Sequence, residues 1–332
     1  MTPQELLNRY RRGEVDFKGQ NLSRINLAGL DLIGSEMADT DLRAANLVLT
    51  FLNRVNLHKA RLSNAVLGGA NLSQANLVRA DLHNADLHGA MLVKANLANS
   101  NLTLANLMDA NLMSADLRGA KLANACLRGA CLRGANFRYE RKVFDHADLR
   151  GADLRGADLR GVNLKEGNLQ FADLRGANLS EANLRGCDLQ GVKLTGSTLR
   201  NTMLSESNLT GADLTEADMH RAMLERANCA DAVMRQVNLT EASMSLCSLD
   251  RVQLDGSTLK RAQLNQATFE RANLSHCDLT EAALVQAYLG RTNLTDATLL
   301  RANLSEAELS SANLMGANLD DATMPDGSTY AD

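Results

Sequence analysis

The sequence predicts an all-β solenoid, a four-sided coil of about 15 turns of ~20 residues, preceded by a short helix. Three observations predict it. An apolar residue recurs at every fifth position over almost the whole chain. Aromatic residues are only 3% of a chain that is 45% hydrophobic, with no Trp, and Pro occurs twice. The first residues carry a helix-start signature. The scarcity of aromatics argues against a layered globular core, which relies on their bulk. The aliphatic content excludes a disordered chain.

The N-terminal element comes first. Thr2-Pro3-Gln4-Glu5 reads as a capping box, with Thr2 as N-cap, Pro3 at the first helical position and Glu5 reaching back. The pattern predicts a helix over about 3–12 that ends near Gly13. Leu6, Leu7 and Tyr10 then lie over the open bore of the first coil, as a solenoid end requires. Residues 1–14 are assigned to this cap; a docking helix is the alternative reading.

The repeat follows. Apolar centres run by fives from Phe17 to Phe137, 25 positions without a miss. The register slips by two and resumes at Phe144, running to Met324 for another 37. Of these 62 centres, 52 are Leu; chance would give such a run with a probability on the order of 10⁻²¹. The position two residues before each centre is Ala, Gly, Ser, Thr or Cys in 52 cases, and the residue between is usually Asn or Asp. A period of five fits neither 3.6 nor 2. Two inward residues flanking one outward residue are locally strand-like, and the next two turn a corner. Four such sides close a square. Stacking squares at ~4.8 Å pairs their backbones, so 62 centres predict a length of about 75 Å. A bore this narrow has no room for Trp.

The organisation read from this is a first segment over 15–137, a register-break loop over 138–143, a second segment over 144–324 and a tail over 325–332 that leaves at Pro325-Asp326-Gly327. Two extra residues are expected to bulge at the break, where Lys142 takes a position usually held by Ala and Phe137 and Phe144 fill the disturbed bore. A tolerated insertion and a recognition loop are both open readings of it.

No catalytic, cofactor or metal site is predicted. The six Cys form no CxxC pair and none sits at zinc-ligand spacing to a His, so each is expected to fill a small buried position of the repeat. All six His follow a centre and are expected to face solvent. The many Asp before Leu belong to the repeat. A flat ladder encloses no pocket, and no phosphate-binding loop, dinucleotide fingerprint or nucleophile elbow is present. Enzymatic activity and a small-molecule substrate are therefore not expected. No apolar run reaches the ~18 residues of a membrane span, and the start lacks a signal-peptide pattern, so the expected location is cytoplasmic.

The outward positions vary. Sorted by side, Ile33, Val48, Leu49, Phe51, Val66, Met91, Val93, Met108 and Met113 cluster on two adjacent sides of the first segment. Met203, Met223, Leu246 and Val285 share one side of the second. Such clusters mark protein contacts, unless the corner residues fold inward. The formal net charge is −4, yet residues 118–160 hold ten Lys/Arg against five acids. That belt, at +5, surrounds the break. It suits an acidic or phosphate-bearing partner, or it neutralises itself through neighbouring Asp. The candidate protein-contact residues are Phe51, Val66, Met91, Val93, Met108 and Met113, with Arg138, Tyr139, Arg141 and Lys142 from the break. Few aromatics lie among the basic residues, so no direct nucleic-acid binding is expected.

Units such as Ala70-Asn71-Leu72-Ser73-Gln74 and Ala152-Asp153-Leu154-Arg155-Gly156 resemble the A(D/N)LXX repeat of the pentapeptide-repeat family over about 15–324. The two ends resemble those of cyanobacterial members. The resemblance implies a right-handed quadrilateral β-helix and a non-enzymatic rigid scaffold for protein–protein interaction, with a regulatory or assembly role in a cyanobacterium. Some members instead inhibit DNA gyrase by mimicking duplex DNA. That role demands about one charge per ~1.7 Å, against which −4 with a basic middle is a poor match, and the C-terminal helical dimerisation module of those members has no counterpart here.

Overall fold

The computed structural model describes residues 1–137 and 147–330. The chain forms two compact units, Met1–Asn168 and Leu169–Asp332.

Unit 1 opens with helix α1, Pro3–Arg11. The Thr2 hydroxyl accepts from the Glu5 N–H at 3.2 Å and the Glu5 carboxylate accepts from the Thr2 N–H at 3.4 Å, the reciprocal bonds of a capping box. Arg9 and Arg11 sit at the negative end of the helix dipole. Leu6 is fully buried and Leu7 half-buried. The Tyr10 hydroxyl donates to the Ile33 carbonyl at 3.0 Å, and the Arg9 guanidinium lies over the Phe17 ring. These contacts hold α1 on the first coils.

Every coil then repeats one geometry, shown by Ala70–Ala75. Leu72 and the small residues Ala70 and Ala75 are fully buried. The Ala75 N–H donates back to the Leu72 carbonyl at 3.0 Å, closing a turn whose third residue, Gln74, has φ +60, the left-handed conformation a type II turn demands. Asn71 bridges in parallel to Phe51 below and Met91 above, an offset of 20 residues. Leu72 and Gln74 donate to the Met91 and Val93 carbonyls at 2.7 and 2.9 Å. The Asn71 Oδ1 accepts from the Ser73 N–H, which explains why Asn and Asp dominate that position: the side chain holds its own corner. Asn also ties coils together, as where the Asn76 amide donates to Asn56 Oδ1 at 2.9 Å.

The sides of unit 1 are numbered I to IV from their first centres, Phe17, Leu22, Leu27 and Leu32. The register break differs from expectation. Lys121 bridges to Asp148, Cys126 to Asp153, Cys131 to Asp158 and Asn136 to Asn163, an offset of 27. Seven residues, not two, are therefore inserted between stacked positions. Phe144 and residues 138–143 lie outside the described residues.

Unit 2 repeats the same coil, for example from Leu214 to Val233, again with parallel bridges at 20 residues. At its end Tyr330 donates to the Ala322 carbonyl and Thr329 pairs antiparallel with Thr323, around a turn in which Asp326 accepts from Ser328. The tail thus folds back on the last coil after the Pro-Asp-Gly turn.

Four of the six Cys meet expectation. Cys187, Cys247 and Cys277 fill small positions and Cys229 a centre, all buried. Cys126 and Cys131 do not. They occupy the outward bridging position and are half-buried, a place where the repeat normally carries Asn or Asp.

Candidate interaction surface

Sides III and IV of unit 1 meet along a corner occupied by Leu49, Gly69, Gly89, Asp109 and Gly129, all with positive φ. Glycine at three of these five positions leaves no side chain of its own on the corner, and those of Leu49 and Asp109 lie over the glycine one coil on. A Cβ on Gly69 would lie 2.7 Å from Leu49 Cδ2; the Leu49 side chain covers the bare backbone one coil on.

The structure brings the six apolar candidates together here. Val66 and Met108 stand on side III; Phe51, Met91, Val93 and Met113 stand on side IV. Phe51 is 49% exposed, Met91 45% and Val66 38%. These three occupy the bridging position, where Asn or Asp would hold the corner, so each forgoes a local hydrogen bond of about 1 kcal/mol while exposing apolar surface. Val93, Met108 and Met113 are half-buried. Arg128 donates to the Met108 sulfur at 3.6 Å and Arg133 to the Met113 sulfur at 3.5 Å, so these two Met are partly roofed by the next coil. Arg138, Tyr139, Arg141 and Lys142 lie outside the described residues. In unit 2, Met203, Met223 and Val285 are half-buried and Leu246 is 45% exposed, all on one side.

The basic belt divides in two. Arg118, Arg150, Arg155 and Arg160 each clamp the Asp two residues earlier with paired bonds of 2.6–2.8 Å. The hydrogen bonds from Arg150, Arg155 and Arg160 pull Asp148, Asp153 and Asp158 below the usual carboxylate range. Self-neutralisation therefore describes these four. Among the described residues, Lys121, Arg128 and Arg133 form no ion pair.

Sequence reasoning missed two features. A hollow of about 320 Å³ is lined by Ile33, Asn53, Arg54, Ser73 and Gln74; its lining comes from three successive coils, a proximity that only the 20-residue offset reveals. In unit 2, Phe171 is 65% exposed and its ring covers Gly191, and the exposed Tyr288 covers Gly290. Among the described residues no cluster of His, Cys, Asp or Glu could hold a metal ion, and no helix is long and apolar enough to cross a membrane. Burial pushes the Cys247 and Cys277 thiols up to about 12, so they stay protonated inside the bore.

Parallel pairing at a 20-residue offset on either side of the register break, buried centres on four sides and a turn at each described corner define a four-sided β-solenoid whose variable surface is its outer sides. The chain belongs to the pentapeptide-repeat family, whose model of eight repeat copies matches in successive stretches from 13–47 to 282–321. Membership implies right-handed winding. No curated protein matches the chain. Among solved structures it is similar to HetL, a pentapeptide-repeat protein involved in heterocyst differentiation regulation from the cyanobacterium Nostoc sp. strain PCC 7120, at 27% identity over 99% of this chain and 100% of that one, with a TM-score of 0.30. It is also similar to Rfr23 from the cyanobacterium Cyanothece 51142, at 33% identity over 41% of this chain and 95% of that one, with a TM-score of 0.20. QnrB1, a plasmid-mediated fluoroquinolone resistance protein, matches at 17% identity over 74% of this chain and 86% of that one, with a TM-score of 0.25.

Proposed function

We propose that the protein is a non-enzymatic scaffold that binds another protein through sides III and IV of unit 1. One observation carries the reading: Phe51, Val66, Met91 and Leu49 expose apolar surface around a corner bared by Gly69 and Gly89, on a backbone whose coils are fixed by hydrogen bonds. A rigid site of this kind binds with little ordering cost. A regulatory or assembly role in a cyanobacterium is the finer part of the proposal. Arg138, Tyr139, Arg141 and Lys142 of the register break are further candidate contacts with the same partner. Mimicry of DNA is the weaker reading even for unit 2, the more acidic one. Its 22 acids against 13 Lys/Arg leave −9, spread over about 8 coils of ~4.8 Å, or one charge per about 4 Å.

The test is affinity capture from a cell extract with Phe51→Glu/Met91→Glu. The captured partner should be lost while circular dichroism and melting temperature stay unchanged. Undiminished capture by this well-folded variant sinks the proposal.

A further inference from the structure

Side I of unit 1 differs from every surface considered above. Between Arg54 and Asn99 its two edges carry Arg54 and Lys94 on one corner and Lys59 and Arg79 on the other, all exposed. None of the four forms an ion pair among the described residues. In unit 2 a surface Arg is usually paired with an Asp or Glu, most often one coil away. Here the floor between the cations is a ladder of Asn56, Asn76 and Asn96, neutral amides at the position that elsewhere often holds Asp. No carboxylate stands on the side over this stretch. The nearest along the chain, Asp81, belongs to side II and is occupied by Ser63 and Asn101. One coil below, Glu36 is occupied by Asn56, and the exposed Asp39 stands on the corner of Lys59 without an ion pair to it among the described residues.

We propose that this side is a docking rail for an acidic protein segment. The proposal rests on the scaffold reading and names the chemistry of the partner. Two rows of unneutralised cations flank a flat, hydrogen-bonding strip five residues wide. Lys59 and Arg79 stand on successive coils, ~4.8 Å apart, close to the ~5–6 Å between the Cβ atoms of residues three or four apart on one helix face, and Arg54 and Lys94 stand two coils apart. The corner with Arg54 and Lys94 also borders side IV, so one partner engages Phe51 and Met91 with apolar groups and the rail with carboxylates. The hollow beside Arg54 lies at this junction. A nucleic acid fits less well, because no Phe, Tyr or Trp on this side offers a base a ring to stack on.

The test uses the full chain and three fluorescent probes: a glutamate-rich helical peptide, its glutamine counterpart and a single-stranded oligonucleotide of matched charge. Fluorescence anisotropy at low salt should show the glutamate peptide bound at least tenfold more tightly than either of the others. Arg54→Glu/Lys59→Glu/Arg79→Glu/Lys94→Glu should weaken it at least tenfold, with the circular dichroism unchanged. Reversing Arg12, Lys18, Arg24 and Arg226 changes net charge equally and should weaken it no more than about twofold. Equal losses in the two variants, or tighter binding of the oligonucleotide, overturn the rail. Should the rail variant misfold, the Gln substitutions at the same four residues provide the same comparison. If the rail fails while Phe51→Glu/Met91→Glu still abolishes partner capture, the scaffold reading stands without it.

Discussion

The two units share one coil and handle charge in opposite ways. Unit 1 carries 22 Lys/Arg against 17 Asp/Glu, net +5, and unit 2 carries 13 against 22, net −9. In unit 2, 11 of the 13 cations form ion pairs among the described residues; only Lys193 and Arg226 do not. Many of those pairs join successive coils. One corner reads Arg221, Glu241, Arg261, Glu281, Arg301, Asp321 at 20-residue steps, with Arg221–Glu241 and Arg261–Glu281 both at 2.7 Å and Arg301–Asp321 at 3.6 Å. Gln266, Gln286 and Glu306 continue the habit as a hydrogen-bonded ladder at 2.7 Å per step. In unit 1 most pairs are local, Asp to the Arg two residues on. Eleven of its 19 described cations are unpaired. The difference teaches that a solenoid can assign its surface separately from its bore: unit 2 spends its charge on stitching coils, and unit 1 leaves charge and apolar groups facing outward.

The largest expected effect tests whether the bore is indeed common to both. Leu92→Ala in unit 1 and Leu254→Ala in unit 2 each empty a fully buried centre and should each cost about 2–5 kcal/mol, with a residual cavity setting the spread. Urea unfolding followed by circular dichroism measures both. A clearly smaller loss in unit 2 would mean that its surface stitching reaches into the core, and the separation of surface from bore would fail.

Corners give the second test. Gly191 and Gly211 both hold φ near +64, so Ala at either incurs about 1 kcal/mol of left-handed strain. At Gly211 the new Cβ meets nothing; at Gly191 it lies 2.7 Å from the Phe171 ring. Gly191→Ala should cost about 1–3 kcal/mol more than Gly211→Ala, and Phe171→Ala in the same chain should remove the excess. In unit 1 the corresponding pair is Leu49 over Gly69. Leu49 is 62% exposed and flexible, so Gly69→Ala should cost less than Gly191→Ala. Equal melting temperatures for Gly69→Ala and Gly191→Ala would remove this corner distinction between the units.

The bore was legible because phase is what a sequence displays best: Leu72, Leu92 and Leu254 all fall where the five-residue count puts them. The corner chemistry was legible in outline, since an Asn or Asp before each centre needs a reason, and the bond from Ser73 to Asn71 supplies it. The size of the break was not. Counting by fives determines an insertion only up to multiples of five, so seven residues look like two, and the pairing of Lys121 with Asp148 is what separates them. Cys126 and Cys131 were misplaced because residue type outweighed phase; each immediately precedes a centre, the outward position. The rail on side I was invisible for another reason. Arg54, Lys59, Arg79 and Lys94 are scattered through 41 residues of ordinary composition, and only the absence of carboxylates from side I within the three coils that carry them makes them a surface.

Acid gives the last and smallest contrast. Asp41 on side II is 5% exposed and lies between Arg43 and Arg61, at 2.7 and 2.8 Å. The hydrogen bond from Arg43 brings its carboxyl down to about 2. A depressed folded-state value means the ionised group stabilises the fold above about pH 4, and that contribution disappears as the pH falls toward 2. In unit 2 the hydrogen bonds from Arg221 and Arg261 hold Glu241 and Glu281 below their ordinary value, with the same sign, but these pairs sit in solvent where salt screens them. Asp41→Asn should therefore flatten the fall in melting temperature between pH 4 and pH 2, and added salt should alter that fall little. Glu241→Gln/Glu281→Gln should produce a smaller change that moderate salt abolishes. Should salt erase the Asp41 effect as well, the buried clamp of unit 1 and the surface ladder of unit 2 would be the same kind of interaction, and only its pairing across coils would set unit 2 apart.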